Sequence, residues 1–335
     1  MAITDKILIV TVPVADLRRK PVDAKTLYIH DDLQETQVLY NEVLLYLDEI
    51  DDWYFVEAIE QQKYTLKNIW QGYPGWIRKR NVTLINAPLT YNAVVKNKTA
   101  RVLKDPSEKS DVLLTVSIGT RFTVRKTSDE EYYPVALADN ERGYISKNDV
   151  GGMETCSSES ILRKAIVSTG RLFIGTPYLW GGKSMFMAEL LERRQKATGK
   201  RQKVDNSIFN IQHSKPYAVN TGVDCSGLTN LIYRVNNIDI PRDAHGQWMA
   251  AREVACNHLK PGDLIFVSAE GGTDIIRHVM LNIGRDRFIE TADTGGAVKI
   301  NTFTDKFGES LDGLAKHKFF FCNRQIYFGS IISVQ

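Results

Sequence analysis

Hydrophobic and polar positions change character near Gly151-Gly152. Before that point, Ile7 to Val12, Thr36 to Leu45, Trp53 to Ile59 and Gly75-Trp76-Ile77 are short β-branched or aromatic runs bounded by turn residues. Such a pattern predicts strands and a β-structured region from residue 1 to about 152. The polar segment Asp105 to Asp111 predicts an exposed loop within it. Beyond it, Ser158 to Phe173 places Ile161, Ala165, Ile166 and Leu172 at helical intervals, with Ser158 or Ser160 as a cap. Gly175-Thr176-Pro177-Tyr178-Leu179-Trp180-Gly181-Gly182 predicts a rigid aromatic loop. Ser184 to Asn220 is polar and basic, predicts a helix over Met187 to Lys196, and reads as a surface insertion. From Leu228 onward, Leu228, Leu231, Ile232 and Val235 define one face of another helix. A further helix is predicted after Ile240-Pro241-Arg242-Asp243-Ala244-His245-Gly246-Gln247. Leu259 to Asp263 then forms a turn feeding a strand at Leu264 to Val267. Two more strands, Ile276 to Ile283 and Arg287 to Thr291, are joined by a turn at Gly284. Helices followed by an antiparallel sheet predict an α+β domain.

Composition narrows the function classes. The 335 residues suffice for two or three domains with a sizeable core. Net charge is only +3, and the basic pairs Arg193-Arg194 and Lys200-Arg201 read as a solvated helix face, so no nucleic-acid footprint is expected. No stretch approaches the ~20 apolar residues of a membrane span. Ile7 to Val12 follows Lys6, but the run is short and ends at Pro13 without a small-residue cleavage site. It reads as a first strand, and a cytoplasmic location is expected. The cysteines Cys156, Cys225, Cys256 and Cys322 match neither a zinc site nor a disulfide scaffold, so reduced thiols are expected.

The chemistry gathers at Asp224-Cys225-Ser226-Gly227, which ends a loop and opens a helix. Asp224 is placed to cap the first turn. Cys225 then stands at a helix N-terminus, where the dipole favours a thiolate; a buried structural thiol is the competing reading. A thiolate needs an imidazole, and the imidazole an orienting group. Of six histidines, His278 lies on a strand, on the face opposite Val279, Leu281 and Ile283. Glu290, on the next strand, shares that face if the hairpin register holds. Cys225, His278 and Glu290 then read as nucleophile, base and orienter; alternatively His278 is a strand histidine and Glu290 a solvated edge carboxylate. His213 and His258 read as surface residues, and His245 as packed near its helix.

The order of five motifs carries a resemblance. Tyr178-Leu179-Trp180-Gly181-Gly182, Asp224-Cys225-Ser226-Gly227-Leu228, Ile240-Pro241-Arg242-Asp243, Pro261-Gly262-Asp263-Leu264 and Arg277-His278-Val279 resemble the NlpC/p60 cysteine peptidases, which are papain-like and cut cell-wall peptides. The likeness covers about Cys156 to the C-terminus. Upstream, Asp16-Leu17-Arg18-Arg19-Lys20-Pro21, then Glu42, then Gly72-Tyr73-Pro74-Gly75-Trp76-Ile77 resemble a bacterial SH3-like domain, and the order recurs more faintly through Arg142-Gly143-Tyr144-Ile145. The expected architecture is therefore two all-β SH3-like barrels (1–92 and 93–152) followed by an α+β papain-like, NlpC-type cysteine peptidase domain (153–335) with an insertion at about 184–220. The whole is similar to γ-D-glutamyl-L-diamino-acid endopeptidases of the YkfC type.

That resemblance implies roles. Cys225 attacks a γ-D-glutamyl carbonyl to form a thioester, and His278 protonates the leaving amine. Tyr178 and the Cys225 N–H stabilise the oxyanion. Asp243 holds the free amine of the substrate's L-alanine, with Glu42 and Tyr73 completing that pocket, while Asp224 and Ser226 line the D-glutamate site. Asp243 reads equally as a helix N-cap, Glu42 as a barrel-edge carboxylate and Tyr73 as a packed turn aromatic. The implied substrates are peptidoglycan stem peptides, L-Ala-γ-D-Glu-diamino acid, with no metal or organic cofactor. In this family the third catalytic position is commonly histidine, and Glu290 departs from it; a carboxylate still orients an imidazole, with a changed pH profile expected. Two alternatives remain: a muropeptide-binding protein with weak turnover, and a cysteine amidase or acyltransferase on the same scaffold.

Overall fold

The computed structural model describes residues 6–24, 30–65, 67–87, 89–125, 127–138, 141–154, 156, 158–185, 221–292, 296–316 and 318–332. Contacts divide the chain into two units. The first comprises Met1–Glu60, Pro74–Met153 and Leu179–Gly222; the second comprises Gln61–Tyr73, Glu154–Tyr178 and Val223–Gln335.

The N-terminal region is largely β-sheet. Strands β1 (Ile7–Val10), β2 (Val14–Arg18), β3 (Gln34–Leu39), β4 (Val43–Ile50), β5 (Trp53–Tyr64), β6 (Trp70–Arg78) and β7 (Val82–Ile85) form one sheet in the order β3-β2-β6-β5-β4-β1-β7. Thr36 to Leu45, expected as one run, is broken at Asn41, which turns with φ 67°. Neither glycine nor proline marks that break; asparagine tolerates the left-handed conformation and supplies it. Glu42 closes the turn, its carboxylate accepting the Leu39 N–H at 3.2 Å. Strands β8 (Ala93–Val95), β9 (Thr99–Leu103), β10 (Val112–Ser117), β11 (Arg121–Phe122), β12 (Tyr132–Ala136), β13 (Arg142–Ser146) and β14 (Val150–Gly152) form a four-stranded sheet, β10-β9-β13-β12, and a three-stranded one, β11-β8-β14. Their alternating apolar positions, among them Val95, Val102, Val116, Phe122 and Ile145, enclose one buried cluster that also takes in Tyr40. Asp105 to Lys109 are exposed, as their polarity predicts.

Ser184 and Met185, the start of the expected insertion, are buried in the first unit. The Ser184 hydroxyl donates to Gln37 at 2.7 Å, and the Met185 N–H to Ser117 at 2.8 Å. The helix expected over Met187 to Lys196, and His213, lie outside the described residues.

In the second unit, α1 (Glu159–Leu172), α2 (Cys225–Val235) and α3 (Ala244–Ala250) precede strands β15 (Arg252–Glu253), β16 (Leu264–Ser268), β17 (Ile276–Gly284), β18 (Arg287–Glu290) and β19 (Lys299–Thr302). Helices α4 (Phe303–Phe307) and α5 (Leu311–Lys316) and strands β20 (Phe320–Phe321) and β21 (Arg324–Ser330) complete it. The sheet runs β15-β21-β16-β17-β18-β19, with β20 on β21. Ser158 occupies the N-cap of α1, but its side chain makes no cap bond. α1 lies close over the sheet at Gly170, where a Cβ would stand 2.9 Å from Leu281 and 3.1 Å from Ile289. Met280 and Phe288 pack with Phe303 and Phe307 of α4 and with Ile326 and Phe328 of β21. Val279 and Leu281 are buried as well, so β17 is covered on both faces and its short apolar runs need no polar alternation.

Candidate active site

Cys225 opens α2, and the residue before it secures the helix start. The Asp224 carboxylate accepts the Gly227 N–H at 2.6 Å, as expected of an N-cap. Ser226 through Arg234 are buried, so the half-buried Cys225 rests on a helix fixed by the core. The backbone N–H groups of a first helical turn, that of Cys225 among them, have no partner within the helix. Tyr178 forms a parallel bridge with Val223, two residues before Cys225, and its N–H donates to Gly296 at 2.8 Å. The aromatic loop is thereby held beside the head of α2.

His278 comes from β17 and Glu290 from β18. Their strands pair Leu281 with Ile289 and Asn282 with Phe288, a register that sets Glu290 diagonally across from His278 on one face. His278 Nε2 lies 2.9 Å from Glu290 Oε2. The imidazole also hydrogen-bonds Cys225, and with Nε2 given to Glu290, Nδ1 is the nitrogen left for the thiol. Burial alone would depress the histidine, but the hydrogen bonds to Cys225 and Glu290 outweigh it and raise it to about 9. For Glu290, burial pushes upward, and the His278 hydrogen bond and charge, with Lys306, bring the carboxyl down to about 2. Both directions favour an imidazolium facing a carboxylate.

Two partners of Glu290 escaped the sequence reading. Lys306 Nζ, from α4, reaches Oε2 at 2.6 Å, and Asn301 Nδ2, from β19, reaches Oε1 at 3.0 Å. The sequence signal for α4 was its cap: Thr302 accepts the Asp305 N–H at 2.9 Å, a Thr-x-x-Asp pattern with phenylalanines at 303 and 307.

Asp243 occupies the N-cap of α3 without a side-chain cap bond. It accepts instead from the Tyr73 hydroxyl at 3.1 Å, and Lys63 lies 4.1 Å from the centre of the Tyr73 ring. Tyr73 and Lys63 belong to the β5–β6 hairpin tip, which is anchored on the same segment by Arg242 N–H donating to Gln62 at 2.9 Å. Burial raises the Asp243 carboxyl above the ordinary range, against the charges of Arg242 and Lys63.

Asp224 and Ser226 converge on the buried Arg242. Its Nη2 meets Asp224 at 2.8 Å, and its Nη1 meets Asp224 and Ser226 at 3.0 Å each. Burial opposes the guanidinium charge, but Asp224 holds it firmly protonated. A two-pronged pair of this kind is geometrically demanding, and here it ties α2 to the segment leading into α3. Glu42 lies in the first unit, fully buried, with Lys183 Nζ at 2.5 Å. His258 is exposed. His245 stacks near Trp248 with ring centres 5.6 Å apart, and burial holds it below the usual histidine range. Among the described residues, no group of histidine, cysteine and carboxylate side chains is arranged to hold a metal ion, and no helix is long and apolar enough to cross a membrane.

A thiol at a helix N-terminus, an imidazole beside it and a carboxylate behind the imidazole together suit acyl transfer through a thiolate. Comparison with known proteins agrees. Residues 175–311 match the NlpC/P60 family. The chain is 27% identical over 300 residues to a γ-D-glutamyl-L-lysine dipeptidyl-peptidase of Bacillus subtilis, covering 89% of this chain and 86% of that one. It is 29% identical to a protein of the same name from Bacillus cereus, covering 79% and 69%. The crystal structure of an NlpC/P60 family protein from Bacillus cereus superposes with a TM-score of 0.68 at 25% identity, over 89% of this chain and 94% of that one. The chain carries a papain-like cysteine peptidase domain of the NlpC/P60 family and is a hydrolase.

Proposed function

We propose that the chain is a peptidoglycan endopeptidase that hydrolyses the γ-D-Glu–diamino-acid bond of stem peptides with a free N-terminal L-Ala. The observation that carries this reading is the Cys225–His278–Glu290 line, with His278 Nε2 2.9 Å from the carboxylate and hydrogen-bonded on its other side to the thiol. The Cys225 thiolate attacks the γ-carbonyl carbon, and the new oxyanion takes hydrogen bonds from the Cys225 N–H and Tyr178. As the C–N bond breaks, the His278 imidazolium passes its Nδ1 proton to the leaving amine. A water then attacks the thioester carbonyl, giving its proton back to His278, and the thiolate departs. Glu290 keeps the imidazole oriented and favours its protonated form throughout.

The half-buried Asp243, hydrogen-bonded to Tyr73, supports a site for a substrate ammonium. An incoming ammonium would offset the burial that now disfavours the ionised carboxylate. An amide-linked L-alanine lacks that charge, so trimmed stem peptides are preferred over those still attached to muramic acid. Asp224 and Ser226 serve the D-glutamate site by fixing the first turn of α2 through Arg242. We do not extend the amine site to Glu42, whose buried carboxylate is engaged by Lys183. Two relatives are named for γ-D-glutamyl-L-lysine, so lysine belongs beside meso-diaminopimelate among the diamino acids to be offered.

Mass spectrometry of L-Ala-γ-D-Glu peptides ending in either diamino acid, incubated beside their N-acetylated forms and a Cys225→Ala control, tests the reading. Release of L-Ala-D-Glu from the free-amine peptides alone, absent in the control, is expected. Equal cleavage of acetylated and free forms sinks the Asp243 assignment while keeping the peptidase. Saturable binding without cleavage sinks the endopeptidase itself.

A further inference from the structure

Glu290 carries more cationic company than orienting one histidine requires. His278 Nε2 and Lys306 Nζ both meet the same oxygen, Oε2, at 2.9 and 2.6 Å. Asn301 holds the other oxygen at 3.0 Å. The lysine is delivered by a short helix whose flanking aromatics, Phe303 and Phe307, are buried against Phe288. Lys306 therefore has a fixed point of attachment close to the carboxylate.

We infer that Lys306 is a positioning residue of the reacting cluster: by sharing one Glu290 oxygen with His278, it limits how strongly that carboxylate holds the imidazolium proton. The inference rests on reading Cys225, His278 and Glu290 as the reacting set. A carboxylate oxygen has two lone pairs and accepts both donors, yet each donor withdraws charge that the other would use. The ammonium also stands within two hydrogen-bond lengths of the imidazole, where like charges disfavour each other. Charge balance gives the same answer. Thiolate, imidazolium, carboxylate and ammonium sum to neutral, whereas the first three alone carry one net negative charge that would retain the proton.

The groups facing this cluster come from four elements. Cys225 of α2 and Glu290 of β18 favour the imidazolium, and Lys306 of α4 opposes it. Lys299 of β19 is paired with Glu290 in the strand register, but is exposed. One consequence follows for catalysis. An imidazolium held too tightly is a poor acid toward the leaving amine, because proton transfer follows the acidity of the donor. Lys306 thus lets a carboxylate stand in the orienting position without locking the proton in place.

The test is an NMR titration of the His278 ring in the free protein, together with the pH dependence of kcat/KM, for wild type, Lys306→Met and Lys306→Arg. Lys306→Met is expected to move the His278 midpoint and the alkaline limb upward by about one pH unit. Its kcat at neutral pH should fall. Lys306→Arg, which keeps the charge, is expected to restore the wild-type midpoint. Lys306→Gln, which keeps a donor without the charge, replaces Lys306→Met if the latter does not fold, with the same upward shift expected. An unmoved or lowered midpoint in the uncharged variant, or an arginine variant that shifts as far as the methionine one, overturns the inference. The ring titration needs no substrate. A protein that fails to cut the stem peptides therefore refutes the proposed substrate while the Lys306 result still stands or falls alone.

Discussion

Replacing Glu290 by glutamine removes the charge behind His278 and keeps the side-chain volume. His278 is raised from 6.5 to about 9 although burial opposes it. At ~1.36 kcal/mol per pH unit, that displacement amounts to about 3 kcal/mol of net preference for the imidazolium. Cys225 and Glu290 supply it together. The glutamine forfeits the Glu290 part and leaves Lys306 without its counter-charge, facing the imidazolium at close range. Both changes have one sign, so the alkaline limb of kcat/KM is expected to fall by about 1–2 pH units. Near the wild-type limb, the variant should then run about 10- to 100-fold slower. Dipeptide release from an L-Ala-γ-D-Glu-diamino-acid peptide, followed by mass spectrometry across pH 5 to 10, reads the limb directly. A limb that stays near pH 9 in Glu290→Gln would refute the reasoning, since the carboxylate would then contribute nothing to the imidazolium.

Further outcomes are expected. Glu290, lowered from 4.5 to about 2, stabilises the fold fully above pH 4.5 and loses that contribution as pH falls toward 2. His278, raised to about 9, stabilises fully below pH 6.5 and loses that contribution as pH rises through 9. Melting curves should therefore show this cluster's support greatest between pH 4.5 and 6.5, with the alkaline decline weakened in Glu290→Gln. Arg242→Met strands the Asp224 carboxylate beneath α2 and should cost about 3–5 kcal/mol by denaturant titration. Lys183→Met does the same to Glu42 in the first unit, at a similar cost of about 3–5 kcal/mol.

Local pattern made some of this legible in the sequence. The apolar face from Leu228 to Val235 located α2, and Asp224 before it announced the cap that Gly227 completes. The alternation around His278, the turn at Gly284 and the next strand were enough to set His278 and Glu290 on one face. What escaped depends on partners far along the chain. Thr36 to Leu45 gave no sign of its break because asparagine, unlike glycine, does not advertise a left-handed turn. Beyond Thr291 the sequence reading assigned no elements, although the Thr302 cap and the phenylalanines of α4 stand there. Lys306 and Asn301 therefore went unseen, and with them the second cation on Glu290. Arg242 was read as part of a motif, but its burial on Asp224 follows from tertiary packing that no spacing encodes.

The hairpin tip from Gln61 to Tyr73 bears on how the chain can be taken apart. Gln62 accepts the Arg242 N–H, and Tyr73 holds Asp243, yet both precede the catalytic segment by well over a hundred residues. A fragment beginning at Glu154 would contain the thiol, the imidazole and the carboxylate and still lack those two supports. The peptidase is thus a discontinuous module. A recombination event that moved only its C-terminal half would transplant the Cys225 thiol and Asp243 without the hairpin that holds Asp243 in place.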